Sequence, residues 1–541
     1  MTKSFLILVT LFFGLTSNAQ GWPDTLARIE KIFSRYKAGI PGAQLSISRH
    51  GQQIFSKAWG MSDLEHGVPL TTTSLIEAGS VSKQFTAAAI LLLEQEGKLS
   101  LNDPVRKYLP ELPDYGKPIT LRHMIQHVSG LKDWGSIAAI AGWPRSTKTY
   151  NNDDALYIVS LQKTLNNNPG DEYIYSNSNY NLLAVIVQRV SGMSLADYSK
   201  KKIFEPAGMT HTEWRADFRK VVPNRAIAYS KDETGYFTNM PNEYVYGNGG
   251  LLTTTEDLLK WNHYYLAGML SGNGLLEKQL ALTPLNNGRP NNYAAGLVVD
   301  KFRGWKQISH NGATAGYRSN LEHYPELGLS IAWLSNSSEF DRDTFDLTGA
   351  VTRLFVHAKE GDITTIEVVA DVPVSPDMPS FSGWYRNPRS GSGTRLFVKN
   401  GELHGSDFGA LRYLGKNVYA VGRNELHMKP GPKRSFLWIS SSKDSILFDG
   451  VDSFAKQTEW NAYTGEYYSS EAEAKYKVVN KGGKLFLVQG PKEPYELKPT
   501  YRDGFTSPFG TVYFIRDKKN QVAGLRISVS RARNVAFDRV K

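Results

Sequence analysis

The chain has 541 residues, 41% of them hydrophobic, with a formal net charge of +11 and no cysteine. Its length exceeds one ordinary core, so two or three domains are expected, and the missing cysteines exclude disulfides, thiolate metal sites and lipid attachment through an N-terminal cysteine. Acidic and basic residues are interspersed, which describes a solvated surface and gives no nucleic-acid partner.

Lys3, the apolar run Phe5–Leu15 and Ser17-Asn18-Ala19 form the n-region, h-region and cleavage site of a secretory signal over residues 1–19. That run is too short for a membrane span and no later run reaches the length needed. A periplasmic or secreted protein with no integral membrane segment in its mature chain is therefore expected. Across residues 20–360, helix-period segments alternate with strand-like runs. Ala43–Gly51 and Gln53–Gly60 read as a hairpin. A helix spans Val81–Gln95 and closes at Gly97; another runs from Tyr180 to Val190 and stops near Gly192. Strands follow at Ala294–Val299 and Ile331–Ser335, and helices on a mainly antiparallel sheet make this an α+β domain. Residues 361–379, with Asp371–Pro379 at their end, read as a linker.

Beyond the linker the pattern becomes short alternating strands with glycine turns, an all-β region. Phe381-Ser-Gly383-Trp-Tyr385 recurs as Tyr463-Thr-Gly465-Glu-Tyr467, and Gly401-Glu-Leu403 as Gly483-Lys-Leu485, both at an offset of 82 residues. Two small barrel-like repeats, 380–456 and 457–541, are predicted.

Three short motifs carry chemistry. In Ser80-Val-Ser-Lys83, a glycine precedes the serine and an apolar helix follows, so Ser80 sits at a helix start with backbone N–H groups toward any oxyanion. Lys83, nearly one turn on, lies on the same face and can take the hydroxyl proton when desolvated. The tetrapeptide pattern also occurs at Ser34, Ser160, Ser199, Ser440 and Ser453, mostly in polar or strand-like surroundings. Tyr175-Ser-Asn177 precedes a second apolar helix. A tyrosine beside a lysine amine can have its phenolate favoured and act as a base, while Asn177 can accept from Lys83 and donate to a substrate carbonyl. Tyr-x-Asn also occurs at Tyr150, Tyr246 and Tyr385, and the helix-entry context is what distinguishes Tyr175. The third motif, His310-Asn311-Gly312-Ala313, follows a strand read as a sheet edge. Gly312 there lets a substrate lie against the strand, and the Ala313 N–H offers an oxyanion donor.

In this order the motifs resemble the penicillin-recognising serine hydrolases: class C β-lactamases, DD-carboxypeptidases, D-aminopeptidases and related esterases. Leu99–Pro104, Thr120–Leu131, Ile203–Met209 and Gly249–Asp257 also resemble that family. The resemblance implies a β-lactamase-like fold over about Trp22 to Val356, without a cofactor or metal, and C-terminal barrels like those of some D-aminopeptidases. It implies that Ser80 is acylated, that Lys83 and Tyr175 share the base role, and that Tyr175 protonates the leaving group. Asn177 orients the substrate amide, and the N–H groups of Ser80 and Ala313 hold the oxyanion. No glutamate matches the class A deacylating acid, so Tyr175 or His310 helps activate water. His310 stands where β-lactamases have lysine, and a partly charged histidine holds a carboxylate less well. That turns the expectation toward small peptides, amides or esters, including D-residue peptides. A carboxylesterase, a weak β-lactamase and a penicillin-binding sensor with little turnover are the alternatives. His123 and His127 are spaced i, i+4 without an acidic third ligand, Arg318 reads as a surface loop charge, and the β repeats either gate the cleft or stabilise the chain. Oligomeric state is not legible.

Overall fold

The computed structural model describes residues 22–217, 219–270, 272–339, 341–360, 375, 377–441, 443–454, 457–490 and 492–540. The predicted signal segment 1–19 and most of the 361–379 linker lie outside them.

The N-terminal domain is built on six antiparallel strands: β1 (Ala43–Arg49), β2 (Gln52–Trp59), β3 (Val298–Phe302), β4 (Trp305–Thr314), β5 (Tyr317–Tyr324) and β6 (Leu329–Ser335). Their order is β3-β4-β5-β6-β1-β2, so the first hairpin joins the last strands through β6 and β1. Every residue of β6 is buried, as a strand covered on both faces requires. One face carries Leu45, Ile47, Ile331 and Trp333 against α1 (Trp22–Phe33). The other meets the larger core around α2 (Lys83–Gln95), whose Ala-Ala-Ala-Ile-Leu-Leu-Leu run is buried on all sides.

Two strand expectations change. The run Ala294–Val299 is strand only from Val298; before it Gly296 adopts φ +74° and Ala294 N–H donates to the Leu297 carbonyl. A Cβ on Gly296 would sit 2.6 Å from Gln84 N, so this apolar run is a turn packed against the start of α2. The His310 strand is second in the sheet, not its edge. Its pairing with β3 ends at Ser309, however, which leaves the 310–314 half facing the cleft.

Two all-β units follow. The first places nine strands of 383–451 in one sheet whose outermost members, Gly409–Ala410 and Arg412–Gly415, are neighbours in the chain. It is a nearly closed barrel. The second closes eight strands over 465–539. The recurring motif does the same work in both: Tyr385 Oη donates to the Phe381 carbonyl and Tyr467 Oη to the Tyr463 carbonyl, each at 2.7 Å. Gly383 and Gly465 share φ near +140° (+141° and +146°), and Gly401 and Gly483 turn matching hairpins at +79° and +74°.

The closed barrel is joined to the N-terminal domain. Ile137 and Ile140 of α3 (Trp134–Ile140) belong to its hydrophobic core, and Tyr476 Oη donates to the Ile140 carbonyl at 2.7 Å. Among the described residues no helix is long and apolar enough to cross a membrane.

Candidate active site

Gly79–Ser82 forms a 3-10 turn that feeds directly into α2, so Ser80 lies in the turn, three residues before the α-helix begins. Gly79 is left-handed at φ +49°, and a Cβ there would meet Ala313 N at 2.8 Å. Gly312 faces the same contact from β4, where a Cβ would overlap the Ala78 carbonyl and approach Ser80 N to 2.8 Å. The glycine therefore admits the protein's own nucleophile turn, not only a substrate. This close approach brings the Ser80 and Ala313 backbones to one wall of the cavity, which encloses about 670 Å³.

Lys83 is wholly buried, and its Nζ lies 3.2 Å from Ser80 Oγ, 3.1 Å from Asn177 Oδ1 and 2.6 Å from the Asn248 carbonyl. No carboxylate pairs with it among the described residues. Burial pushes its pKa well below the usual lysine range, the cations of Arg531 and Arg145 push further, and Asp133 opposes them. Burial thus works against its ammonium form.

Tyr175 and Asn177 lie at the start of α4 (Asn177–Ser191), which ends at left-handed Gly192. The Tyr175 ring centroid is 4.7 Å from Lys83 Nζ. Its buried hydroxyl has no hydrogen-bond partner of ordinary geometry among the described residues. Burial raises its pKa, and the nearby Ser80 hydroxyl relieves only part of that rise. The expectation of a favoured phenolate meets an opposing force here: desolvation, the largest effect on Tyr175, works against the phenolate, and burial likewise works against the charge on Lys83.

His310 is 5% exposed, with Nδ1 2.6 Å from the Asn311 carbonyl and Nε2 3.0 Å from Tyr293 Oη. The carbonyl requires a proton on Nδ1, so Nε2 accepts from Tyr293. Burial first, and Lys83 second, lower its pKa to about 3. It is neutral, where the sequence suggested partial charge.

His127 braces the second motif. Its Nδ1 accepts from Ser176 N–H and the Asn179 amide, and its ring packs against Tyr175 with centroids 4.2 Å apart. His123 is occupied differently, its Nδ1 accepting from Thr120 N–H in a capping box. Arg318 is half-buried and lines the cavity, so it is not the loop charge expected of it.

Sequence reasoning missed Asn248, Asp133, Tyr293, Arg145 and Arg531. Asn248 belongs to the Tyr246-x-Asn triplet set aside above, so its signal was present. Asp133 caps α3 through Ser136 N–H and also accepts from Asn177 N–H at 2.7 Å. An aspartate before an apolar helix is a readable cap, but its second bond is not. Arg531 arrives from the closed barrel, with its guanidinium 4.8 Å from the Tyr175 ring centroid.

The family model described as Beta-lactamase matches residues 29–352. Penicillin-binding protein 4* of Bacillus subtilis is 30% identical over 307 residues, covering 53% of this chain; the chain spans 66% of that protein's length. A D-aminopeptidase of Cereibacter sphaeroides is 24% identical over 523 residues, covering 92% of this chain and 96% of its own. The solved octameric penicillin-binding protein homologue from Pyrococcus abyssi superposes with a TM-score of 0.54 at 23% identity, over 87% of this chain and 98% of its own, which shows a shared fold.

Proposed function

The chain belongs to the Beta-lactamase family and is a serine hydrolase of the DD-peptidase type, and from that premise we propose that it cleaves small D-amino-acid amides, peptides or esters through an acyl-enzyme on Ser80. The observation that carries this reading is the set of three contacts on Lys83. A neutral amine has two N–H donors and one lone pair. All three contacts have Nζ on the donor side, as an ammonium's would be; once Nζ is neutral, its two donors serve the Asn177 and Asn248 oxygens and its lone pair takes the Ser80 proton.

In this reaction Ser80 Oγ gives its proton to Lys83 Nζ and attacks the substrate carbonyl carbon. The oxyanion is stabilised by the Ser80 and Ala313 N–H groups, such a donor contributing roughly a hundred- to thousandfold in rate. Asn177 holds the amide of the substrate. Tyr175, kept protonated by burial, donates to the leaving nitrogen as the C–N bond breaks, and the Lys83 ammonium restores its proton. Water then takes the place of the leaving group, gives its proton to the same pair, and releases the acid and free Ser80. His310 positions the strand and Tyr293, because its Nε2 is already an acceptor there.

The D-residue preference rests on the D-aminopeptidases that match nearly the whole chain. A neutral His310 supports weak capture of a β-lactam carboxylate, consistent with peptidase or esterase action and slow acylation by penicillins. The sequence pattern of residues 1–19 supports export.

The test is steady-state hydrolysis of D- and L-aminoacyl p-nitroanilides, their p-nitrophenyl esters and a chromogenic cephalosporin by wild type and Ser80→Ala. We expect the D-anilides and esters to turn over, the L-anilides and cephalosporin to lag, and S80A to be inactive. Full activity in S80A, or a cephalosporin as the best substrate, contradicts the proposal.

A further inference from the structure

The cavity wall has an uneven charge. Arg145, Arg318 and Arg531 line it, and the only carboxyl among its described lining residues is Glu322. Glu322 is buried and accepts from Gln307, Tyr324 and Thr352, and burial raises its pKa. It is held neutral. Arg145 is neutralised by two contacts to Glu243. Arg531 differs: among the described residues its guanidinium has the Tyr175 ring and no ion pair.

Arg531 sits in the two-residue turn between β7 (Val522–Val529) and β8 (Ala532–Arg539) of the closed barrel. The turn is fixed by its backbone. The Arg531 carbonyl accepts from Asp133 N–H and the Asn166 amide, both at 3.0 Å, and Arg533 N–H donates to Asn166 Oδ1 at 2.7 Å. Arg533 also pairs with Glu172 at 2.9 Å. Asp133 is the residue whose carboxylate receives Asn177 N–H, so one aspartate sets both the substrate-amide residue and the arginine. The guanidinium lies over the Tyr175 ring and lines the cavity, and among the described residues its N–H groups make no hydrogen bond.

A half-buried, backbone-anchored guanidinium with free donors matches a planar carboxylate. We propose that Arg531 is a specificity-determining residue that selects substrates bearing a carboxylate near the scissile bond, on the acyl side chain or on the leaving group. The inference rests on the acyl-enzyme reading above and goes beyond it.

The experiment uses the full-length protein and pairs of substrates that differ only in charge. One pair is the p-nitroanilides of N-acetyl-D-glutamate and N-acetyl-D-glutamine; the other is N-acetyl-D-alanyl-glycine and its C-terminal amide. Wild type is expected to favour the carboxylate member of at least one pair by about tenfold in kcat/KM, the size of one charge-assisted contact. The responding pair tells which side of the bond bears the carboxylate. Arg531→Met brings that ratio toward one, and Arg531→Glu reverses it; because each ratio is internal to one protein, partial misfolding does not mimic the result. Ratios near one in wild type, or a preference that survives both substitutions, overturn the proposal while activity lost in S80A leaves the serine reading standing. Hydrolysis that persists at full rate in S80A overturns the serine reading and this proposal with it.

Discussion

The two β units share a motif and differ in what they touch. In the first, Tyr385 ties its strand to the preceding turn and the sheet stays open between its outermost strands. It meets the N-terminal domain through Asp444 with Arg289 at 3.0 Å and Arg389 with Glu172 at 3.1 Å, all partly exposed. In the second, the same tyrosine device sits in a closed barrel whose core includes Ile137 and Ile140 of the N-terminal domain. Lys132 and Glu471, 0% and 3% exposed, form a buried pair across that joint, and Glu471 accepts from Lys163 N–H and Ala536 N–H. A repeated fold thus became a peripheral unit in one copy and a wall of the cleft in the other. Local sequence sets the tyrosine device; docking sets the function.

The comparison is broken most severely at the chemistry, which belongs to neither unit. Lys83→Met should lower kcat/KM on a D-anilide by about 10²- to 10⁴-fold, the range of general acid–base catalysis, with both β units intact. A loss of only a few-fold would return the base role to Tyr175. The next effect separates the two joints. Glu471→Ala leaves Lys132 buried without its partner and should cost ~3–5 kcal/mol in urea unfolding, whereas Asp444→Asn in the exposed joint should cost about 1 kcal/mol or less. Equal losses would mean that both units dock alike.

A smaller effect appears in the pH profile. Lys83 must be neutral to act, so kcat/KM rises with pH as its proton leaves and levels off well below the ordinary lysine value of about 10.4. Arg531 and Arg145 depress that pKa and Asp133 raises it. Arg531→Met removes one depressing cation, so the acidic limb should move to higher pH, while Asp444→Asn should leave it in place. A limb that moves down, or stays, contradicts the assigned electrostatics. The smallest difference is expected where the units are most alike: Tyr385→Phe and Tyr467→Phe each remove one buried hydrogen bond and should each cost about 1 kcal/mol.

The same contrast explains what was legible. Ser80, Lys83, Tyr175, Asn177 and His310 carry their chemistry in short motifs at helix starts and on a strand, where neighbours in sequence are neighbours in space. Arg531 lies in the turn Ser530-Arg531, which has no chemical signature, and it reaches Tyr175 only because the barrel docks on α3. Asn248 had the triplet but not the helix start, since what brings it to Lys83 is tertiary packing. Ionisation was the least legible: burial works against charge on Lys83, His310 and Tyr175 alike, and burial is a property of the assembled core. The apolar run before Val298 misled for a related reason, as its hydrophobic surface packs on α2 without strand pairing.

The central claim is an acyl-enzyme on Ser80, and rapid-quench mass spectrometry with a D-aminoacyl p-nitrophenyl ester tests it most directly. The account predicts a burst of p-nitrophenol matched by an acyl adduct on the peptide that contains Ser80, with both burst and adduct missing in Ser80→Ala. Turnover without an adduct at Ser80, or an adduct that persists in S80A, would contradict it.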